Sequence, residues 1–442
     1  MRAFLLSLLI ALTSGAQTPE VRVEEIVQSY VTNHQFMGTV LIAKGDKVVF
    51  DKGYGFANLE WQIPNMPVTK FRLGSVTKQF TAASILLLEQ RGKLNTDDLV
   101  KKYMPDAPAA WDKVTIFHLL THTSGIPSFT GFKEYPDMEK KPATPEEIVK
   151  LFKDKPLEFE PGSKFNYSNS GYFLLGYLID KISGETYPQF VKENIFTPLG
   201  MMDSGYDVNA QVLMHRAAGY TPTAKGEIEN TGYIDMTIPY SAGALYSTTH
   251  DLLKWERGLY SGKVLQAGSL KKMTTPFKSN YGFGLFISTA DGHKKIDHGG
   301  GIEGFNTELA YYPDDQMAVI VLANLNGTAP GDIANKAATV EFGGKVELTS
   351  ERKAITLKPE ELSAVVGVYS LAPGVDLAVT LEGSQLATQL TGQPKFEIYP
   401  ESPTFFFLKV VDAQLEFGKD SSGKATQVTL HQNGHDTVAK KK

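Results

Sequence analysis

The sequence predicts an α+β fold: an antiparallel sheet flanked by helices with an all-helical subdomain, followed by a small C-terminal β-barrel. Three observations predict it. Strand-like runs open and close the first three quarters of the chain, helical periodicity fills the stretch between them, and short alternating strands take over after Leu362. One sheet covered by helices gives both kinds of element an apolar surface to pack against. At 442 residues the chain is long enough for two or more domains.

Taken in order, Arg2, the apolar run Ala3 to Leu12 and the small residues Ser14-Gly15-Ala16 read as a signal peptide, residues 1–16, cleaved after Ala16. The run falls short of the roughly 20 residues that cross a bilayer. The expected location is therefore the periplasm or the exterior, with no membrane span. A domain over 17–345 follows. An amphipathic helix begins near Gln17, with Val23, Ile26, Val27 and Tyr30 on one stripe. Gly38 to Lys44 and Lys47 to Asp51 form a strand pair around the Gly45-Asp46 turn. Ser75 to Gln90 read as a buried helix ended by Gly92, and Tyr172 to Ile182 as a helix ended by Gly184. Strands are expected at Tyr281–Ser288, Lys294–Asp297, Thr307–Tyr312 and Met317–Leu322.

Residues 346–442 form a linker and a second domain. Eight short strands are expected between Gly367 and Ala439, punctuated by Gly383, Gly392, Gly423 and Gly434. That density predicts an up-and-down barrel, with a two-layer sandwich as the alternative.

Composition removes several functions. A net charge of -5 offers no electrostatic case for nucleic acid or an anionic membrane. The absence of cysteine removes disulfides, thiolate metal sites and a cysteine nucleophile. No cofactor is expected. His118 and His122, spaced i, i+4, fit a zinc site by spacing, but no Glu follows His118 as a metallohydrolase motif requires, and no metal is expected.

Three elements carry chemistry. Ser75 and Lys78 share one helical face at the start of an apolar helix, where unpaired N–H groups favour developing negative charge. Lys78 as a base needs its pKa lowered from about 10.4 towards neutrality, a cost of ~4 kcal/mol. The same spacing recurs at Ser269/Lys272, Ser350/Lys353 and Ser421/Lys424, so spacing alone equally describes a helix cap. Tyr167-Ser168-Asn169 offers a phenol for proton relay and an amide to hold the lysine and a substrate, or simply a loop tyrosine with a capping asparagine. His298-Gly299-Gly300-Gly301 offers close backbone approach, with Gly301 N–H as a second oxyanion donor, or a glycine turn.

In this order, with Phe71-Arg72-Leu73-Gly74, Leu119 to Gly125 and Pro198-Leu199-Gly200-Met201 around them, these elements resemble the serine β-lactamase and penicillin-binding-protein family. The nearer branch is that of class C β-lactamases, DD-peptidases and esterases of peptidase family S12. The resemblance implies a β-lactamase/transpeptidase-like fold, with Ser75 as acylated nucleophile and Lys78 and Tyr167 as its catalytic partners. It also implies Asn169, His298, Gly300 and Gly301 as substrate-binding positions. One departure is His298-Gly299-Gly300 where many β-lactamases carry Lys-Thr-Gly. The C-terminal segment, including Leu430-His431-Gln432-Asn433-Gly434, resembles a lipocalin-like appendage, which can shape the active-site entrance or serve as a homo-oligomer contact. The implied function is a secreted serine hydrolase acting on a small-molecule or peptide substrate: a D-amino-acid peptide, a β-lactam or a small ester. The alternatives are a carboxylesterase without peptidase or β-lactamase activity, and a catalytically silent penicillin-binding-like sensor module.

Overall fold

The computed structural model describes residues 18–223, 226–432 and 435–442. The segment read as a signal peptide, together with Asn433 and Gly434, lies outside them. The chain starts with helix α1 (Pro19–Thr32), capped by the Thr18 side chain, and its buried stripe is Val23, Ile26, Val27 and Tyr30 as periodicity predicts. Strands β1 (Gly38–Lys44) and β2 (Lys47–Tyr54) form the expected hairpin.

Helix α2 (Thr77–Gln90) follows a short 3₁₀ turn over Gly74–Val76, and every residue from Thr77 to Leu88 is buried. Its polar side chains are satisfied internally. Gln79 accepts from the Trp255 indole at 3.0 Å, and Thr81 meets the Tyr187 hydroxyl at 2.9 Å. Helix α3 (Asn169–Ser183) stops at Gly184, which adopts φ +80°. Helix α4 (Thr249–Tyr260) packs Trp255 against Phe80 of α2, ring centroids 4.3 Å apart.

Strands β3 (Phe286–Ala290), β4 (His293–Ile302), β5 (Phe305–Tyr312) and β6 (Met317–Ala323) complete a six-stranded antiparallel sheet, ordered β3-β4-β5-β6-β1-β2. Helix α5 (Ala329–Glu341) returns across it. β6 reads as a continuous apolar run because both of its faces are covered. Ala318, Ile320 and Leu322 face the α2 side, while Val319, Val321 and Ala323 face α1 and α5.

Two differences from the expected strands bear on the site. Tyr281 to Leu285 form no strand, and pairing begins at Phe286. His298 to Gly301 form no turn but continue β4. β3 pairs with β4 only as far as Asp297, so residues 298–302 keep one edge free. The other edge is fully paired with β5.

The C-terminal segment is a closed eight-stranded antiparallel barrel: β7 (Gly367–Ala372), β8 (Val375–Glu382), β9 (Gln385–Leu390), β10 (Lys395–Pro400), β11 (Phe405–Phe407), β12 (Ala413–Lys419), β13 (Ala425–Gln432) and β14 (His435–Lys441). Strands pair in sequence order and β14 returns to β7, so the up-and-down barrel holds and the sandwich does not. Tyr369, Leu386, Ile398, Phe406, Leu415 and Val428 fill it. The barrel meets the sheet domain through polar contacts on the α1 and α5 side: Lys336 to Asp412 and Gln35 to the Val410 carbonyl at 3.4 Å. This is the face of the sheet opposite α2.

Phe406 is fully buried and meets Phe417 edge-on at 5.4 Å. Phe406→Ala is expected to destabilise the barrel by about 3–5 kcal/mol. Chemical denaturation followed through the near-ultraviolet signal measures this; a loss under 1 kcal/mol contradicts a packed barrel core.

Candidate active site

The 3₁₀ turn that precedes α2 exists because Gly74 adopts φ +53°, a region that disfavours side chains. A Cβ on Gly74 would sit 2.8 Å from the Gly301 nitrogen, so the turn and the free edge of β4 touch backbone to backbone. Gly300 is equally constrained, because its Cβ would lie 2.0 Å from the Leu73 carbonyl oxygen. Thr307 on β5 donates to that same carbonyl at 2.8 Å. These contacts bring the Ser75 turn against Gly300 and Gly301.

Lys78, one helical turn on, is fully buried. Its Nζ lies 3.0 Å from Ser75 Oγ, 2.9 Å from Asn169 Oδ1 and 2.8 Å from the Ala242 carbonyl oxygen. Burial holds its pKa well below the ordinary lysine range. The hydrogen-bond arithmetic agrees with a neutral amine. Asn169 Oδ1 and the Ala242 carbonyl can only accept, so they take the two hydrogens and leave the lone pair facing the Ser75 hydroxyl. The rings of Tyr167 and Tyr172 wall the amine at 4.9 and 5.6 Å.

Tyr167 is half-buried, but its hydroxyl is buried beside Ser75 and makes no well-formed hydrogen bond. Burial pushes the phenol up, only partly offset by the Ser75 hydroxyl, so it stays protonated. The ionised phenol is therefore the less favourable state. The His122 ring packs at a tilt against Tyr167, centroids 4.2 Å apart, and accepts a hydrogen bond from Ser168 N–H at 3.1 Å. His118 is occupied as a helix cap, accepting from Thr115 N–H at 3.2 Å. The Nδ1 atoms of both imidazoles thus serve local structure.

Asn169 is positioned by residues that the sequence did not single out. Its amide nitrogen donates to Thr130 Oγ1 at 3.1 Å, and its backbone N–H to Ser128 Oγ at 3.1 Å. These hydroxyls lie 2.9 Å apart.

His298 does not reach the cleft. Its Nδ1 donates to the Gly299 carbonyl at 2.6 Å, which leaves Nε2 to accept from the Tyr281 hydroxyl at 3.0 Å. Burial first, then repulsion by Lys78 whenever that amine is protonated, lowers its pKa to about 4. The side chain expected at the substrate instead braces β4 from behind, and Gly300 likewise acts through packing. Ser75, Asn169 and Gly301 do line the cleft, a cavity of about 90 Å³ that also includes Phe129, Thr130, Tyr135, Ile234 and Glu303. Among the described residues the barrel contributes none to this lining.

The rival Ser-x-x-Lys pairs lack this setting. Lys272 shares a helix with Ser269 but pairs with Glu89 at the surface. Ser421 lies in a turn between β12 and β13.

Residues 23–343 match the protein-family model described as Beta-lactamase, well over half of the chain. The chain belongs to the β-lactamase family. A second model, "Domain of unknown function (DUF3471)", matches residues 351–441, which contain the barrel of this β-lactamase-family protein. It is 30% identical over 450 residues to Penicillin-binding protein 4* of Bacillus subtilis (strain 168), a match covering 96% of this chain and 99% of that protein. A Putative penicillin-binding protein PbpX of the same organism is 33% identical over 326 residues, 73% of this chain and 80% of that one. Among solved structures, the octameric penicillin-binding protein homologue from Pyrococcus abyssi superposes with a TM-score of 0.69 at 28% identity, covering 95% of this chain and 99% of that chain. The D-amino acid amidase from Ochrobactrum anthropi SV3 shares the fold, with a TM-score of 0.65 at 24% identity over 73% of this chain and 99% of that one. Among the described residues, no helix is long and apolar enough to cross a membrane.

The buried His298 sets a pH dependence of stability. The folded imidazole stays neutral down to about pH 4, while the unfolded one takes up a proton near 6.5. The unfolded state therefore binds more protons between these values, and this residue's contribution falls by ~3 kcal/mol as pH drops from 7 to 4. The difference in unfolding free energy between wild type and His298→Gln isolates it. That difference is expected to shrink in acid, and a pH-independent difference contradicts a buried neutral imidazole.

Proposed function

We propose that this chain is an exported serine hydrolase that cleaves an amide or ester through an acyl-enzyme on Ser75. The observation that carries the reading is the fully buried Lys78 amine, 3.0 Å from Ser75 Oγ and held by two pure acceptors. A neutral amine with its lone pair on a serine hydroxyl is a general base in place. Similarity to Penicillin-binding protein 4* across almost the entire chain supports the same class of chemistry. The Arg2-led apolar segment before Ala16 supports export.

In the proposed cycle Ser75 Oγ attacks the carbonyl carbon as its proton passes to Lys78 Nζ. The oxyanion is held by the N–H groups of Ser75 and Gly301, which come from the paired turn and strand edge. The bond to the leaving group breaks as the Tyr167 phenol protonates it, and Tyr167 recovers its proton from the Lys78 ammonium. Water then attacks the ester by the reverse route, and Ser75 regains its proton. Asn169 keeps the lysine aimed and offers its amide nitrogen edge to the substrate. A neutral, inward-turned His298 gives a substrate carboxylate no fixed positive charge. That favours ester or amide substrates lacking a carboxylate and keeps the carboxylesterase alternative in play.

Fluorophosphonate labelling read by mass spectrometry is expected to modify Ser75 alone. Ser75→Ala should lower turnover of a p-nitrophenyl ester by about ten-thousandfold. Labelling at another residue, or full activity in that variant, contradicts the scheme. No labelling at all supports the silent sensor instead.

Because the base must be neutral, protonating Lys78 in acid switches it off. kcat/KM should rise with pH to a plateau, with an apparent pKa far below 10.5. Lys78→Met should lose about a thousandfold with the pH rise abolished. A pH–rate profile retained in that variant would assign the ionisation to another group.

A further inference from the structure

We propose that His122 is the positioning residue that aims the Tyr167 phenol at the leaving group, by holding the chain on both sides of that tyrosine. The proposal deepens the serine-hydrolase reading and rests on it.

Nothing holds the phenol at its tip, because its hydroxyl makes no well-formed hydrogen bond. Its direction is therefore set by the backbone that carries it and by the rings packed around it. His122 supplies the backbone grip. Its carbonyl oxygen accepts from Asn166 N–H at 2.9 Å, and its Nδ1 accepts from Ser168 N–H at 3.1 Å. The residues before and after Tyr167 are thus bonded to one and the same residue. His122 also supplies the closest aromatic ring, with centroids 4.2 Å apart and planes tilted by 33°. Tyr281 and His298 lie farther off, at 6.4 and 6.2 Å.

Two features of His122 are unfavourable for a side chain with only a packing role. It adopts φ +55°, just beyond the short helix Ile116–Leu120, in the left-handed region that side chains disfavour. In that conformation its carbonyl and its ring reach the same stretch of chain. With Nδ1 accepting, the ring hydrogen sits on Nε2, which is buried without a hydrogen-bond partner. A buried donor without an acceptor is costly. Leucine here avoids that cost but leaves the Ser168 N–H without its acceptor. Burial first, then Lys78 and His298 whenever they are protonated, holds the imidazole well below its ordinary pKa, so the Nδ1 lone pair stays available.

Aim matters only where the leaving group needs a proton. In the proposed cycle the bond from the acyl carbon to the leaving oxygen breaks, and the electron pair left on that oxygen takes the Tyr167 proton. p-Nitrophenolate is stable enough to depart as an anion, whereas an alkoxide is not. A misaimed Tyr167 therefore slows poor leaving groups selectively, while a loss of folded protein slows all of them equally.

p-Nitrophenyl butyrate and benzyl butyrate carry one acyl group and differ in the leaving group. kcat/KM for each is divided by the amount of Ser75 that a fluorophosphonate labels, so unfolded molecules drop out. In His122→Leu the benzyl-to-p-nitrophenyl ratio is expected to fall about thirtyfold. His122→Asn accepts a left-handed backbone and places an amide oxygen where Nδ1 stood, so its ratio should stay within about threefold of wild type. Added to Tyr167→Phe, His122→Leu should lower the ratio no further. Should His122→Leu not fold, His122→Gln, whose amide lies one bond farther out, takes its place with the same expectation. An unchanged ratio, a fall in His122→Asn as large as in His122→Leu, a further fall in the double variant, or no wild-type turnover of benzyl butyrate overturns the proposal, while labelled Ser75 leaves the hydrolase reading standing. If wild-type Ser75 is never labelled, the hydrolase reading falls and takes this proposal with it.

Discussion

The structure is organised around one buried amine. Lys78 sits with no access to water on a helix buried along almost its entire length, and burial makes its charged form expensive. A lysine in such a place must either pair with an acid or stay neutral. No carboxylate bonds to it, and its partners are a hydroxyl, an amide oxygen and a backbone carbonyl. Each comes from a different part of the chain: the turn before α2, the start of α3 and the segment before α4. Holding that amine requires the helical subdomain to close on α2 from two sides. The tyrosine walls complete the enclosure, and the six-stranded sheet supplies the floor.

Much of the fold was legible because its signals are local. The stripe of Val23, Ile26, Val27 and Tyr30 gave α1 through helical period, and alternation with regular glycines gave all eight barrel strands. The site residues were legible as types and spacings, and Ser75, Lys78, Tyr167 and Asn169 do converge. What escaped was whatever depends on side-chain direction or on backbone atoms. The Ala242 carbonyl carries no sequence signature, because every residue has one. Thr130 and Ser128 lie in a loop with nothing periodic to mark them. His298 was misread as facing the substrate: its strand was taken to end at Asp297, whereas β4 runs on to Ile302 and turns the ring inward.

The barrel shows how little a second domain needs to touch a site to travel with it. Closure leaves it no unpaired edge, so it has no need of the sheet domain to protect its strands. The contacts that join the two are ionic and polar rather than a shared apolar core. Such a junction holds position without making the folding of one part depend on the other.

The main-chain contact between Gly74 and Gly301 has a consequence for how this enzyme class can diversify. Two backbones meet there without an intervening side chain, and substitution at Gly74 collides with the opposite strand. The geometry of this contact is thus a property of the chain path and offers nothing for mutation to adjust in small steps. Change in what is accepted must come from elsewhere in the cleft wall, where Tyr135, Ile234 and Glu303 project side chains that can be exchanged one at a time. A rigid reaction centre beside an exchangeable wall lets one scaffold keep its chemistry while its substrates drift.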